Sequence, residues 1–176
     1  MKLFKKQKGY KTTEFVINDI KQAVSYLVSQ RFPPSVTNSI YAITITNTGC
    51  KHQKDLNHII TNKLFNTIKN DYKTSKEHTN YVFVIEYPEV ITRGNYLPTN
   101  CKVHSHLVVN TSLDEKIIMS YLKQAFPKIK DIDMLIENIT DRNDKEQYKN
   151  YLVKQGINNR ILCDSSYNYK ITLFDK

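Results

Sequence analysis

Between residues 80 and 110 the chain reads Asn-Tyr-Val-Phe-Val-Ile-Glu-Tyr (80–87), then a polar loop, then Lys-Val-His-Ser-His-Leu-Val-Val-Asn (102–110). Both flanking runs are rich in β-branched and aromatic residues, which suit a pleated, half-buried surface. The loop carries Pro88, Gly94, Asn95 and Pro98, residues that break regular structure. Two strands joined by one loop read as an antiparallel hairpin, and the rest of the fold is read outward from it.

Upstream, residues 55–72 place Leu56, Ile59, Ile60, Leu64, Phe65 and Ile68 at helical spacing. Residues 39–47, SIYAITITN, alternate and are β-branched, which predicts a strand. Thr13 to Arg31 sets Phe15, Val16, Ile20, Ala23, Val24 and Leu27 on one helical face, and Pro33 and Pro34 end that helix. Downstream, Ser112 to Phe126 reads as a helix. Ser112 is its expected cap, Glu115 completes a capping box, and Ile117, Ile118, Tyr121 and Leu122 form the apolar stripe. Asp131 to Thr140 reads as a strand. Arg142 to Gln155 reads as a polar helix closed by Gly156, and Asn168 to Phe174 as a last strand.

From Ser39 the expected order is therefore β-α-β-β-α-β-α-β, and its first six elements match the split βαβ pattern. The predicted fold is α+β: a ferredoxin-like or RRM-like antiparallel sheet of about five strands. Its helices lie mainly on one face, which leaves the other face open for a site, and an N-terminal helix is added. One domain spans 1–176, with a basic arm and helix in 1–38 and the core in 39–176.

The 176 residues are 40% hydrophobic and 24% charged, an ordinary globular composition that excludes collagen, coiled coil and disordered tail. No run approaches the 18 or more apolar residues of a membrane span. Cys50, Cys101 and Cys163 are far apart and odd in number, so neither a disulfide framework nor a CxxC knuckle is expected. The N-terminal MKLFKKQKGYKTTEF is basic without an apolar stretch, so the expected location is intracellular and not secreted. Lys and Arg total 26 against 17 Asp and Glu, for a net charge of +9. Such an excess favours a polyanionic partner, nucleic acid first. Lys, Asn and Tyr are all abundant and have AT-rich codons, so genome composition accounts for part of the excess.

His104 and His106 are two residues apart on a predicted strand and so point to the same face. Two imidazoles so placed can grip one divalent metal; they could equally be a hydrogen-bonded pair on a half-buried sheet. Glu86 is the single charge on the preceding strand, and a carboxylate in mid-sheet is costly unless it is paired or ligating. The hairpin could bring it beside both histidines, giving a two-His, one-carboxylate site; a salt bridge at the strand end is the alternative, and Glu89 is the reserve candidate. Mixed N and O ligation with room for water suits Mg²⁺ or Mn²⁺ acting on a phosphate, with Zn²⁺ or Fe²⁺ as further options. Finally, Tyr148, Tyr151 and Lys154 follow one another at three-residue steps on a predicted helix. A tyrosine nucleophile needs a nearby cation or metal-bound phosphate, and Lys154 is placed for that. A packing aromatic beside a solvated lysine has the same spacing.

The strand VHSHLVV (103–109) followed by the helical Tyr-x-x-Lys, YLVK (151–154), resembles the HUH endonucleases, and most nearly the rolling-circle replication initiators of small single-stranded DNA viruses and plasmids. Their first motif, a Thr-containing strand, is matched loosely by Tyr41-Ala42-Ile43-Thr44-Ile45-Thr46. The resemblance covers about residues 39 to 160. The residue between the histidines is commonly bulky in that family and is Ser105 here; it faces away from the ligands. The resemblance implies a metal, Mg or Mn, on Glu86, His104 and His106, with Tyr151 attacking a phosphate of single-stranded origin or hairpin DNA. A 5′-phosphotyrosine link would form, Lys154 would offset the developing charge, and Tyr148 is a possible second tyrosine. The chain has no GxxxxGK[ST] motif and only four glycines, so a helicase would come from another protein. Relaxases and tyrosine transposases share the same motifs. Two other classes compete: a non-catalytic ferredoxin-like binder of single-stranded nucleic acid, stacking bases on Tyr81, Phe83 and Tyr87, and a non-haem iron enzyme with a facial triad.

Overall fold

A computed structural model describes residues 13–29, 38–71, 79–86, 103–130, 133–152 and 161–165. Its elements are α1 (Thr13–Ser29), β1 (Ser39–Ile45), α2 (Gln53–His58), a π-helical stretch (Ile59–Phe65), α3 (Asn66–Asn70), β2 (Thr79–Glu86), β3 (His104–Thr111), α4 (Glu115–Ala125), β4 (Met134–Asn138), a 3₁₀ turn (Lys145–Gln147), α5 (Tyr148–Leu152) and β5 (Ile161–Ser165). All strand pairs are antiparallel, in the order β4-β1-β3-β2-β5. β3 lies between β1 and β2, and β1 lies between β3 and β4, so each β-α-β unit is split by a strand of the other.

Strand alternation divides the core in two. Tyr41, Ile43, Phe83, Ile85, Leu107 and Val109 point to one face, where Leu56, Ile60, Leu64 and Ile68 meet Ile118 and Leu122 of α4. Ile40, Val82, Val84 and Val108 point to the other, where they pack against Ile20, Val24 and Leu27 of α1 and Leu152 of α5. Each fully buried side chain of this size contributes roughly 1.5–3 kcal/mol. The face expected to lie open is therefore partly covered, and helices pack on both sides of the sheet. The reason is the apolar stripe of α1: Ile20, Val24 and Leu27 are fully buried and need the even-numbered strand residues as a partner surface. Asn110 reinforces this docking. Fully buried, it donates from Nδ2 to the Leu27 carbonyl at 2.9 Å, and its Oδ1 accepts from Asn38 at 3.0 Å.

Other expectations shift locally. Leu56, Ile60, Leu64 and Ile68 recur every four residues, and a strict α-helix would carry Ile68 roughly 120° around from Leu56. The under-wound π stretch takes up part of that drift, and Thr61 Oγ1 donates to the Asn57 carbonyl within it at 2.7 Å. Helix α4 is capped by Asp114, whose Oδ1 accepts from the Ile117 amide at 2.9 Å, and not by Ser112. Leu113 is buried in the core, so the chain turns into the helix only after it. Ile117, expected in the buried stripe, is 38% exposed. The polar helix expected over 142–155 is a 3₁₀ turn followed by a short α-helix in the described residues. A strand stands at Ile161–Ser165, beside β2, where none was expected. Residues 168–174, expected as the last strand, lie outside the described residues.

Candidate functional site

The pairing of β2 with β3 sets Glu86 directly opposite His104, and Val84 opposite His106. All four side chains share the sheet face that α1 and α5 cover. Glu86 closes β2, a strand flanked by β3 and β5, so its carboxylate is fully buried. Glu86 Oε2 lies 3.1 Å from His104 Nε2 and 3.5 Å from His106 Nε2. His106 is buried, and the His104 side chain is 19% exposed, so the group meets solvent on the His104 side.

This geometry suits a metal. One ligand atom from each of the three residues lies within 4.8 Å of the others. Ligands bound to one ion at about 2.1 Å stand no more than roughly 4.2 Å apart, so small side-chain shifts would close the group around a cation. Burial of the carboxylate argues in the same direction, because such a charge is stable only when paired or ligating. The alternative of a hydrogen-bonded histidine pair uses the same contacts, and both readings place Glu86 at the centre.

A fourth residue completes the arrangement. Thr44 stands opposite His106 in the β1–β3 register, and its Oγ1 lies 3.0 Å from His106 Nδ1. With Nδ1 engaged there, Nε2 is the nitrogen turned to Glu86, and the ring is held in a ligating orientation. The sequence motif marks Thr44 only through the family resemblance; its contact depends on strand register, which no local pattern specifies. Ser105 points away, and its hydroxyl donates to the Val84 carbonyl at 2.8 Å.

Helix α5 brings both tyrosines to this face. The Tyr151 ring meets His106 edge-on, with centroids 4.9 Å apart, and Tyr151 is 43% exposed. Tyr148 is held differently. Its hydroxyl donates to Glu137 Oε2 at 2.9 Å and accepts from Arg142 Nη1 at 3.4 Å. Burial, and after it the hydrogen bond to the Glu137 carboxylate, push its phenol up to about 12. Tyr148 is thus a protonated phenol tied to β4, while Tyr151 adjoins the triad. Lys154, Glu89 and Tyr87 lie outside the described residues.

Sequence reasoning also missed the cluster around Tyr148. Arg142 grips Asp144 through two hydrogen bonds, of 2.8 and 2.7 Å, and bonds to Glu137 as well. Its guanidinium holds the Asp144 carboxyl below the usual carboxylate range. An open pocket of about 370 Å³ runs from this cluster to Thr44, His106 and Tyr151.

Two of the three aromatics of the competing binder reading, Tyr81 and Phe83, lie among the described residues, and both are engaged in packing. Phe83 is fully buried, and Tyr81 stacks on Phe65 with ring centroids 3.6 Å apart, on the face covered by α2, α3 and α4. Among the described residues no helix is long and apolar enough to cross a membrane. No family model, no curated protein and no solved structure matches the chain.

Proposed function

We propose that this chain nicks and rejoins single-stranded DNA in the manner of the HUH endonucleases, with Tyr151 as nucleophile. One observation carries the reading: the Tyr151 ring packs against His106 of a buried Glu86–His104–His106 group. Three features support it. The order β4-β1-β3-β2 within the sheet suits a ferredoxin-like core. The net charge of +9 favours a polyanion. The motif order of Thr-containing strand, His-x-His strand and Tyr-x-x-Lys agrees with the resemblance.

Glu86, His104 and His106 would hold a divalent ion, Mg²⁺ or Mn²⁺, whose chemistry is to polarise a phosphoryl oxygen. Thr44 keeps the His106 ring oriented for that task. The Tyr151 hydroxyl attacks phosphorus and loses its proton as the new O–P bond forms. The bond from phosphorus to the 3′ oxygen breaks, and that oxygen takes up a proton and leaves as a 3′-hydroxyl. The 5′ end stays on Tyr151 as a phosphodiester, so the reverse reaction reseals a strand without ATP. Lys154 offsets negative charge at the phosphate. In this reading the chain initiates rolling-circle replication with a helicase from another protein. Relaxase and transposase chemistry would use the same residues.

Incubation with end-labelled single-stranded oligonucleotides and Mn²⁺ tests the proposal. A denaturation-resistant protein–DNA band supports it. Free, cleaved strands without any adduct, or no cleavage of a randomised pool, would exclude it.

A further inference from the structure

The pocket beside the triad has a character at odds with the rest of the chain. Leu135, Thr44 and His106 form one row across β4, β1 and β3 on the same sheet face. Glu137 follows Leu135 by two residues on β4 and therefore shares that face. Thr44, His106 and Tyr151 line the pocket as well, so it opens onto the candidate metal group. Its volume of about 370 Å³ falls in the range of small-ligand sites, roughly 300–1,000 Å³. Its walls include Leu135, which is 63% exposed, and Tyr151, which is 43% exposed. Its charged groups are Glu137, Asp144 and Arg142, two carboxylates against one guanidinium. In a chain of net charge +9 this is a locally acidic site.

The scissile phosphate belongs at the His106–Tyr151 end of the pocket, beside the triad, whereas the Glu137–Asp144 end, with two carboxylates against one guanidinium, disfavours a second phosphate. A base is uncharged and flat, and its amino groups are donors. Glu137 accepts from Tyr148 on one oxygen and from Arg142 on the other. A carboxylate has about four acceptor positions, so capacity remains on both oxygens. Arg142 is spread over Asp144, Glu137 and Tyr148, which fixes the Glu137 carboxylate in place. Exposed Leu135 and Tyr151 offer apolar and aromatic surface for a base plane.

Resting on the proposed single-stranded DNA ligand, we propose that this pocket receives one nucleobase of the bound strand and reads it through Glu137. Adenine, cytosine and guanine carry exocyclic amino groups that can donate to the carboxylate. Thymine carries none, and its N3–H lies between two carbonyl oxygens that a carboxylate repels, so thymine is the disfavoured base. A good bidentate side-chain contact to a base discriminates by roughly fivefold to a hundredfold or more. Glu137 is about half exposed, with 46% of its side chain accessible, which places the expected effect at the low end, about threefold to tenfold.

The test separates this inference from the catalytic reading by measuring binding in chelator, where no cleavage occurs. Wild-type protein selects strands from a randomised single-stranded pool in EDTA, and the bound fraction is sequenced. The inference expects one position depleted of thymine about threefold to tenfold, and the depletion lost in Glu137→Gln, whose amide can donate to a thymine carbonyl. Equal melting temperatures for the two proteins check the fold. Tyr148→Phe removes a partner of Glu137 but leaves its carboxylate, and it keeps the depletion. A bound pool with no thymine-poor position, a depletion unchanged by Glu137→Gln, or one lost equally in Tyr148→Phe would overturn the inference. A parallel reaction with Mn²⁺ reports on adduct formation alone, so failure of the chemistry and failure of base reading are seen separately.

Discussion

The Tyr151 ring meets the His106 imidazole edge-on, with centroids 4.9 Å apart and planes at 76°. The next residue, Leu152, is fully buried in the cluster that joins α5 to α1 and the sheet. Burial of one residue thus holds its neighbour against the strand that carries the histidines. The position of Tyr151 depends on packing of this face, and so on α1.

That dependence predicts an effect at a distance. Asn110→Ala removes the donor to the Leu27 carbonyl and the acceptor for Asn38. It should cost about 1–3 kcal/mol by leaving buried polar groups unmade. Chemical denaturation measures the loss, and an unchanged midpoint would show that α1 docks without this bond.

Metal binding should stabilise the fold. At a hundred times its dissociation constant, an ion that binds only the native state adds about 2.7 kcal/mol. Mn²⁺ should therefore raise the melting temperature of the wild type and leave His104→Ala and His106→Ala unmoved. Equal shifts in all three proteins would place the ion elsewhere.

Thr44 should act through His106. Thr44→Val preserves the β-branched shape of the strand and removes the oxygen beside Nδ1. Loss of such an outer partner typically weakens metal affinity 10- to 100-fold. Isothermal titration with Mn²⁺ reads this directly, and wild-type affinity in Thr44→Val would remove Thr44 from the site.

The Tyr148 phenol should titrate late. The Tyr148 phenol is raised to about 12 from an ordinary value of 10. Between those values the folded protein binds more protons at this residue than the unfolded chain. Its contribution to stability is complete below pH 10 and is lost as pH rises toward 12. Tyr148→Phe should show a shallower loss of stability across that window, and ultraviolet difference titration should show the removal of a late-titrating phenol.

How much of this was legible in the sequence varied with the range of the interaction involved. The hairpin strands announced themselves because Val82, Val84, Val108 and their neighbours follow local rules of alternation and β-branching. The pairing of Glu86 with His104 was also within reach, since a single loop joins the two strands. The Thr44 contact was not, because it rests on register across 62 residues of chain. The cap of α4 moved from Ser112 to Asp114 because burial of Leu113 outweighed a local capping pattern. Cover of the second face was missed for a related reason: the stripe of α1 was visible, but the surface it would seek was not. The Glu137–Arg142–Asp144 cluster had no signature at all, since three charges on a strand end and a turn look like any solvated surface.

The central claim is that Tyr151 becomes covalently joined to DNA at the Glu86–His104–His106 group. Mass spectrometry of the protein after reaction with single-stranded oligonucleotides and Mn²⁺ tests it most directly. The account predicts a nucleotide on the peptide containing Tyr151, absent from Tyr151→Phe and from reactions in chelator. A nucleotide attached to Tyr148, or an adduct that survives both Tyr151→Phe and chelation, would contradict it.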